Sequence, residues 1–194
     1  MILSNIELLK ALENGRIVID PKPPLPTMEN PANPYDTTAV DLTLAPHLEI
    51  PKDDYSVAID ISKGGIAETL STLCDQITIP ESGYILEPKK FVLAQTKEKI
   101  KLPIHEEGPV FAARVEGKSS RARCGILIHF TAPTVHAGFE GPLTLEMINL
   151  HKYDFILKPG MAICQLIFEQ VLGTPTRNPS QFQGQSTPSG VTHT

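Results

Sequence analysis

The sequence predicts a mainly β fold, an all-β barrel or jelly-roll-like arrangement with one short helix at its N-terminus. Three observations carry this prediction. Apolar residues recur at alternate positions in many short runs. Eighteen prolines and thirteen glycines interrupt those runs at close intervals. The clearest helical period lies at the start of the chain. Alternation buries one face of a strand and wets the other, while Pro and Gly close strands in turns.

Taken in order, Ser4 and Glu7 form a capping box for a helix over residues 4–14. Ile6, Leu9 and Leu12 are its expected apolar stripe and Gly15 its stop. Residues 17–19 read as a first strand. Residues 21–36 contain six prolines and read as an irregular loop. Residues 41–44 alternate as a strand should, and residues 66–73 form a helix-like stretch in a more polar region. Further strands are expected at 77–79, 84–86, 91–96, 110–115, 124–131, 155–157 and 162–168. Lys158-Pro159-Gly160 is a turn before the last of these. From about Gly173 the composition shifts to Thr, Pro, Ser, Gln and Gly. The expected organisation is therefore one domain over residues 1–172 and a mobile tail over 173–194.

Hydrophobic residues make up 41% of the chain and charged residues 20%, ordinary for a soluble globular protein. The formal net charge of -5 supplies no global field for nucleic acid, so any polyanion must be met by a local cluster. No apolar run is long enough to span a membrane and no signal-peptide pattern opens the chain, so a cytoplasmic protein without membrane or nucleic-acid partners is expected. Cys74, Cys124 and Cys164 are odd in number and far apart, and buried reduced thiols are expected.

Two neighbouring segments carry chemistry. In residues 116–125 (E-G-K-S-S-R-A-R-C-G), Ser119 and Ser120 can donate to phosphate oxygens, while Lys118, Arg121 and Arg123 can neutralise them. Gly117 is expected to permit a tight, close-approaching backbone. In residues 141–149 the period of two puts Leu143, Leu145 and Met147 on one face, and Thr144, Glu146 and Ile148 on the other. On pattern alone, a solvated turn and a water-facing glutamate fit the same residues.

The segments E-G-K-S-S-R-A-R-C-G, T-A-P-T-V-H-A-G-F-E-G and L-T-L-E resemble the core motifs of the dCTP deaminase branch of the dUTPase superfamily. The serine–arginine loop and the fourteen-residue interval from Ala132 to Glu146 are the specific parts. The resemblance implies a distorted β-barrel of the dUTPase type and a homotrimer with sites between subunits. It implies dCTP as substrate, Mg2+ carried on the triphosphate, dUTP and ammonia as products, and dTTP as a possible inhibitor. Glu146 would move protons, Ser119 and the Ala132 carbonyl would hold water, and Arg123 would orient Glu146. Lys118, Ser120 and Arg121, in a loop completed by Ala122, would meet the triphosphate together with Gln185 of the tail. Thr144 and Leu145 would offer backbone groups to the base, and His136 would lie near the deoxyribose. The zinc deaminases need an H-x-E together with a P-C-x-x-C ligand set, and this sequence has no P-C-x-x-C, so no zinc is expected.

Several positions depart from the family pattern. Thr43 stands where arginine is common, Pro133 and Thr134 differ from the usual residues, and Gln181 replaces a lysine in the tail segment that folds over nucleotide. His136 replaces an aspartate that in dUTPases positions the attacking water, although a packed loop histidine fits there too. The expectation is therefore deamination to dUTP. A dUTP diphosphatase, a bifunctional enzyme and a non-catalytic nucleotide-binding relative remain the alternatives.

Overall fold

The computed structural model describes residues 1–29, 31–53, 57–178, 180 and 182–192. Ser4 caps helix α1 (Asn5–Glu13), its hydroxyl accepting the Glu7 N–H at 3.3 Å. Glu7 turns outward to Lys10 at 2.8 Å, so only half of the expected capping box forms. Leu8 and Ala11 are the buried residues of α1, with Leu9 and Leu12 partly covered, whereas Ile6 is 62% exposed. The helix meets the core along one narrow edge, which rotates the inward face away from Ile6.

Strand β1 (Val18–Asp20) pairs with β5 (Phe91–Lys101), and β2 (Val40–Pro51) runs well past the predicted end at residue 44. Its register against β5 shifts between Leu44 and Leu48, where Pro46 has no N–H to give the ladder. Helix α2 (Ile66–Leu73) falls where expected and leads into β3 (Cys74–Thr78), paired with β2. Strands β4 (Tyr84–Leu86) and β10 (Phe155–Leu157) form a separate ribbon with Ile85 opposite Ile156. The remaining strands are β6 (Val110–Gly117), β7 (Ile126–Leu127), β8 (Thr134–Val135), β9 (Glu140–Asn149) and β11 (Ala162–Val171). The fold is mainly β. Its main sheet runs β7-β9-β5-β2-β11-β6-β8, with β1 and β3 paired off this path. Residues 128–133 link the two ends of the path, and Val115 N–H donates to the Pro133 carbonyl at 2.8 Å. This curls the sheet around a core that includes Leu42, Leu44, Leu48, Leu145, Met147 and Phe168.

Three expectations are corrected. The strand expected over 124–131 shrinks to β7, because residues 119–123 turn into helix α3 (Ser119–Arg123) and Cys124 caps its exit. Gly117 is the last residue of β6, and a Cβ there would meet only Ile128 Cγ1, at an ordinary 3.7 Å. Cys74 and Cys164 are buried free thiols, but Cys124 is exposed beside α3. Burial raises the Cys164 thiol pKa well above its usual range, Glu98 and Asp41 add to the rise, and Lys118 opposes it. Among the described residues, no helix is long and apolar enough to cross a membrane.

Phe168 is 1% exposed at the centre of this core. Phe168→Ala should cost about 3–5 kcal/mol in chemical denaturation, and Ile156→Ala on the exposed ribbon less than about 1 kcal/mol. Equal losses at the two positions would show that the core has been placed wrongly.

Candidate active site

The alternation read in residues 141–149 is realised in β9: Leu143, Leu145 and Met147 are buried, and Thr144, Glu146 and Ile148 are half-covered on the outer face. Antiparallel pairing places Leu93 of β5 opposite Glu146, and Glu49 of β2 opposite Leu93. Gln76 of β3 is opposite Glu49. Directly opposed residues share a face, so Gln76, Glu49, Leu93 and Glu146 form one transverse row. Two strand spacings separate the Glu49 and Glu146 backbones, about 10 Å. The next row holds Gln95 opposite Thr144.

This face floors a groove of about 1290 Å³. Five of the sequence-predicted residues line it: Ala132, His136, Thr144, Glu146 and Gln185. Among the described lining residues Glu146 is the one carboxylate, with Lys52 and Arg177 as the cations. Phe91, Leu93, Leu143 and Phe139 supply apolar wall. His136 is exposed at the groove. The Leu145 side chain points into the core, which leaves only its backbone for a ligand.

The C-terminal segment crosses the same face. Gln95 Nε2 donates to the Thr187 carbonyl at 2.8 Å, and Thr144 Oγ1 donates to the Pro188 carbonyl at 3.0 Å. Gln185 is buried and donates to the Pro142 carbonyl at 2.8 Å and to Thr144 Oγ1 at 3.1 Å. Ser189 Oγ donates to Glu49 Oε1 at 3.2 Å. Gly190 closes the segment with φ +96, and a Cβ there would lie 2.5 Å from the Phe182 ring. Gln181, read as a lost phosphate contact, lies outside the described residues.

The serine–arginine loop is elsewhere on the chain. Ser119, Ser120, Ala122 and Arg123 are exposed on α3 and Arg121 is half-buried; none of them lines the groove. Lys118 pairs with Asp41 of β2. Thr43 sends its N–H and its hydroxyl to the buried Glu98 carboxylate at 2.8 and 2.7 Å. Sequence reasoning missed Glu49, Gln95 and Asp41. Gln95 had a signal, a polar residue inside an apolar run; Glu49 lay beyond the predicted end of its strand and had none. Among the described residues, no group of three or more His, Cys, Asp or Glu side chains is arranged to hold a metal ion.

A curled antiparallel sheet carrying one groove and a C-terminal strap is a dUTPase-type fold. Residues 2–171 match the dCTP deaminase-like family, and the chain belongs to it. A protein of Methanosphaera stadtmanae named "dCTP deaminase, dUMP-forming" is 36% identical over 195 residues, covering 96% of this chain and 91% of the relative. A Haloarcula marismortui protein named "dCTP deaminase" is 35% identical over 195 residues, covering 97% of this chain and 92% of the relative. The crystal structure of 2'-deoxycytidine 5'-triphosphate deaminase from Agrobacterium tumefaciens shares the fold at a TM-score of 0.62 and 18% identity, over 86% of this chain and 47% of that one. The chain thus spans about half the length of that solved protein.

The packing of Gly190 on Phe182 gives a direct test of how the strap is held. Gly190→Val forces a side chain into a left-handed backbone and into the ring. The Gly184 amide, which donates to the Glu140 carbonyl at 2.9 Å, should then lose about tenfold or more of its hydrogen-exchange protection, while Met147 keeps its own. Unchanged protection at Gly184 would mean that the strap docks without this contact.

Proposed function

We propose that the protein hydrolytically deaminates dCTP, taken as its Mg2+ complex, with Glu146 carrying the protons. The observation that supports this best is the position of Glu146, the one carboxylate among the described lining residues of a groove that also contains Ala132. Water adds to C4 of cytosine, and the carboxylate accepts a proton from it and passes one to N3. A second proton goes to the departing amine, so dCTP and water give dUTP and ammonia, and Glu146 ends as it began. The Ala132 carbonyl and Ser119 hold the water, while Arg123 orients the carboxylate and offsets developing charge. Phe91 and Leu93 keep bulk water from the reacting face. Thr144 and Leu145 offer backbone groups to the base, and Ser120, Arg121 and Gln185 meet the phosphates. No zinc is involved in this reading. The strap over residues 182–192 acts as the lid.

Because α3 lies outside the groove of its own chain, the loop that completes each site comes from another copy in a homotrimer. Glu146→Gln keeps the shape of the side chain but cannot cycle a proton. It should lower turnover by about 10³-fold, with nucleotide affinity within about tenfold. Mixing Glu146→Gln subunits with Ser119→Ala subunits should restore part of the activity, since some mixed sites then carry neither change. A Glu146→Gln protein with wild-type turnover would remove this residue from the mechanism, and absence of any recovery on mixing would remove the shared site.

The product follows from His136. A diphosphatase must hold water in line with the α-phosphate, and an exposed imidazole is a weaker anchor for that water than a carboxylate. We therefore assign dUTP as the released product. The second reading, dCTP to dUMP, is favoured by the names of relatives such as the Methanosphaera protein. Ammonia and pyrophosphate measured separately distinguish the two. The expected result is ammonia from dCTP with little pyrophosphate, and weak pyrophosphate release gained in His136→Asp. Pyrophosphate formed by the wild type at the rate of ammonia would establish the dUMP-forming reading instead.

A further inference from the structure

The hydrogen bonds under the strap run in one direction. Val191 N–H donates to Thr187 Oγ1 at 3.0 Å, and the Thr187 and Ser189 hydroxyl oxygens are 3.1 Å apart. Ser189 Oγ donates to Glu49 Oε1 at 3.2 Å, and Gln76 Nε2 donates to the same oxygen at 2.9 Å. A carboxylate only accepts, so the Ser189 proton points at Glu49 and the Thr187 proton at Ser189. Glu49 thereby orders every donor back to Val191. Thr187, Ser189 and Glu49 are all buried, and such a chain is stronger away from water.

The chain ends on the strand farthest from the reacting carboxylate. Thr144 of β9 donates to the Pro188 carbonyl, Gln95 of β5 donates to the Thr187 carbonyl, and Glu49 of β2 accepts from Ser189. Three adjacent strands therefore each hold one strap residue. Of these three contacts, only that of Glu49 uses a side chain of the strap. Anchored in this way, the strap lies on the face of β9 and leaves its edge open. β5 pairs with β9 on one side, and on the other β7 reaches only Ile148 and Asn149. Among the described residues no strand pairs with Thr144 on that second side, where backbone groups can meet a base. Glu49 Oε2 has no partner among the described residues, so the anchor holds the strap without locking it.

We propose that Glu49 is a positioning residue for the reaction: it anchors the strap through Ser189 and so sets the closed position of the lid over the nucleotide. Two strands away from Glu146, it acts through residues 187–191 and touches no reacting atom. This rests on the reading of the strap as the lid of a dCTP deaminase, and it adds to that reading a carboxylate that none of the sequence motifs contains.

The test compares Glu49→Ala, Glu49→Gln, Ser189→Ala and the double change Glu49→Ala/Ser189→Ala in the full-length protein. Steady-state kinetics with dCTP and amide hydrogen exchange without nucleotide are both read. Glu49→Ala and Ser189→Ala should each raise KM about tenfold with kcat within about threefold, since a loosened lid weakens the hold on nucleotide and leaves Glu146 in place. The Gly190 and Val191 amides, both bonded to Thr187, should lose about tenfold in protection, while Met147 keeps its own. The double change should be no worse than either single one, because both remove the same contact. Glu49→Gln keeps the accepting oxygen and should stay within about threefold of the wild type in KM and in exchange. Effects on KM that multiply in the double change would show two separate contacts and overturn the proposal. Wild-type KM and protection in Ser189→Ala would overturn it as well, as would a Glu49→Gln protein as weak as Glu49→Ala. If Glu49→Ala does not fold, Ser189→Ala still decides, since it changes only the strap. A wild type that releases no ammonia from dCTP removes the deaminase reading alone, and the amide exchange still reads the anchor.

Discussion

The register between β5 and β9 is the constraint on which the rest of the structure depends. Leu93 lies opposite Glu146, Ala94 opposite Leu145 and Val92 opposite Met147. Leu145 and Met147 of β9 fill the core while Thr144 and Glu146 line the groove. A slip of one residue would drive the Glu146 carboxylate inward and turn Leu145 out to water, so the register is strongly specified. Polar groups at both ends reinforce it. Asn149, fully buried, donates to the Leu86 and Tyr153 carbonyls at 2.9 and 2.8 Å and accepts the His151 N–H at 2.8 Å. Where the ladder shifts between Gln95 and Lys99, Thr96 Oγ1 accepts the Leu143 N–H at 2.9 Å and donates to the Glu98 carbonyl at 2.7 Å. The hydrophobic pattern and these bonds together deliver one carboxylate to one place.

The strap over this face is held differently from the core. Gln95, Thr144 and Glu49 each bond to it, and it brings few apolar side chains of its own. Water can satisfy the same groups when the face is open, so each bond contributes only about 0.5–1.5 kcal/mol net. Ordering the strap residues costs conformational entropy that opposes these bonds. Glu49 sharpens the balance: it is fully buried, and its Oε2 has no hydrogen-bond partner among the described residues. A buried carboxylate oxygen left without a partner favours opening of the strap. An equilibrium of this kind responds to any ligand with different affinity for its two states.

Much of the fold was legible because period-two alternation and turn residues are local signals. The β9 alternation, the 66–73 helix and the β4 and β10 strands all fall where the pattern puts them. What failed depended on contacts far apart in sequence. Nothing around Ile6 reveals that α1 would bury Leu8 and Ala11, since that depends on the angle at which the helix meets the barrel. The 124–131 run looks like a strand, but the chain must leave the edge of β9 to reach β6, and only two residues stay paired. At the site, the motif spacing pointed to Glu146 and Ala132, which both line the groove, whereas Glu49 became visible only once Ser189, 140 residues further on, lay against it.

The loop bearing His136 shows how one scaffold can accommodate two outcomes. Its backbone is anchored without help from that side chain: Phe139 N–H donates to the His136 carbonyl at 3.1 Å, Gly138 N–H to Leu102 at 2.6 Å, and Leu102 N–H to Phe139 at 2.9 Å. The imidazole itself is exposed, so exchanging it disturbs little packing. Glu146 stands on β9, whose register against β5 the core enforces. In the reading proposed above, deamination at the base would fall to β9 and cleavage at the α-phosphate to the His136 loop, elements with different tolerance for change. Relatives that differ in whether diphosphate is released therefore need not differ in the barrel. On that reading, a substitution on the anchored loop would change which water is held, while β9 keeps the register that the hydrophobic pattern sets.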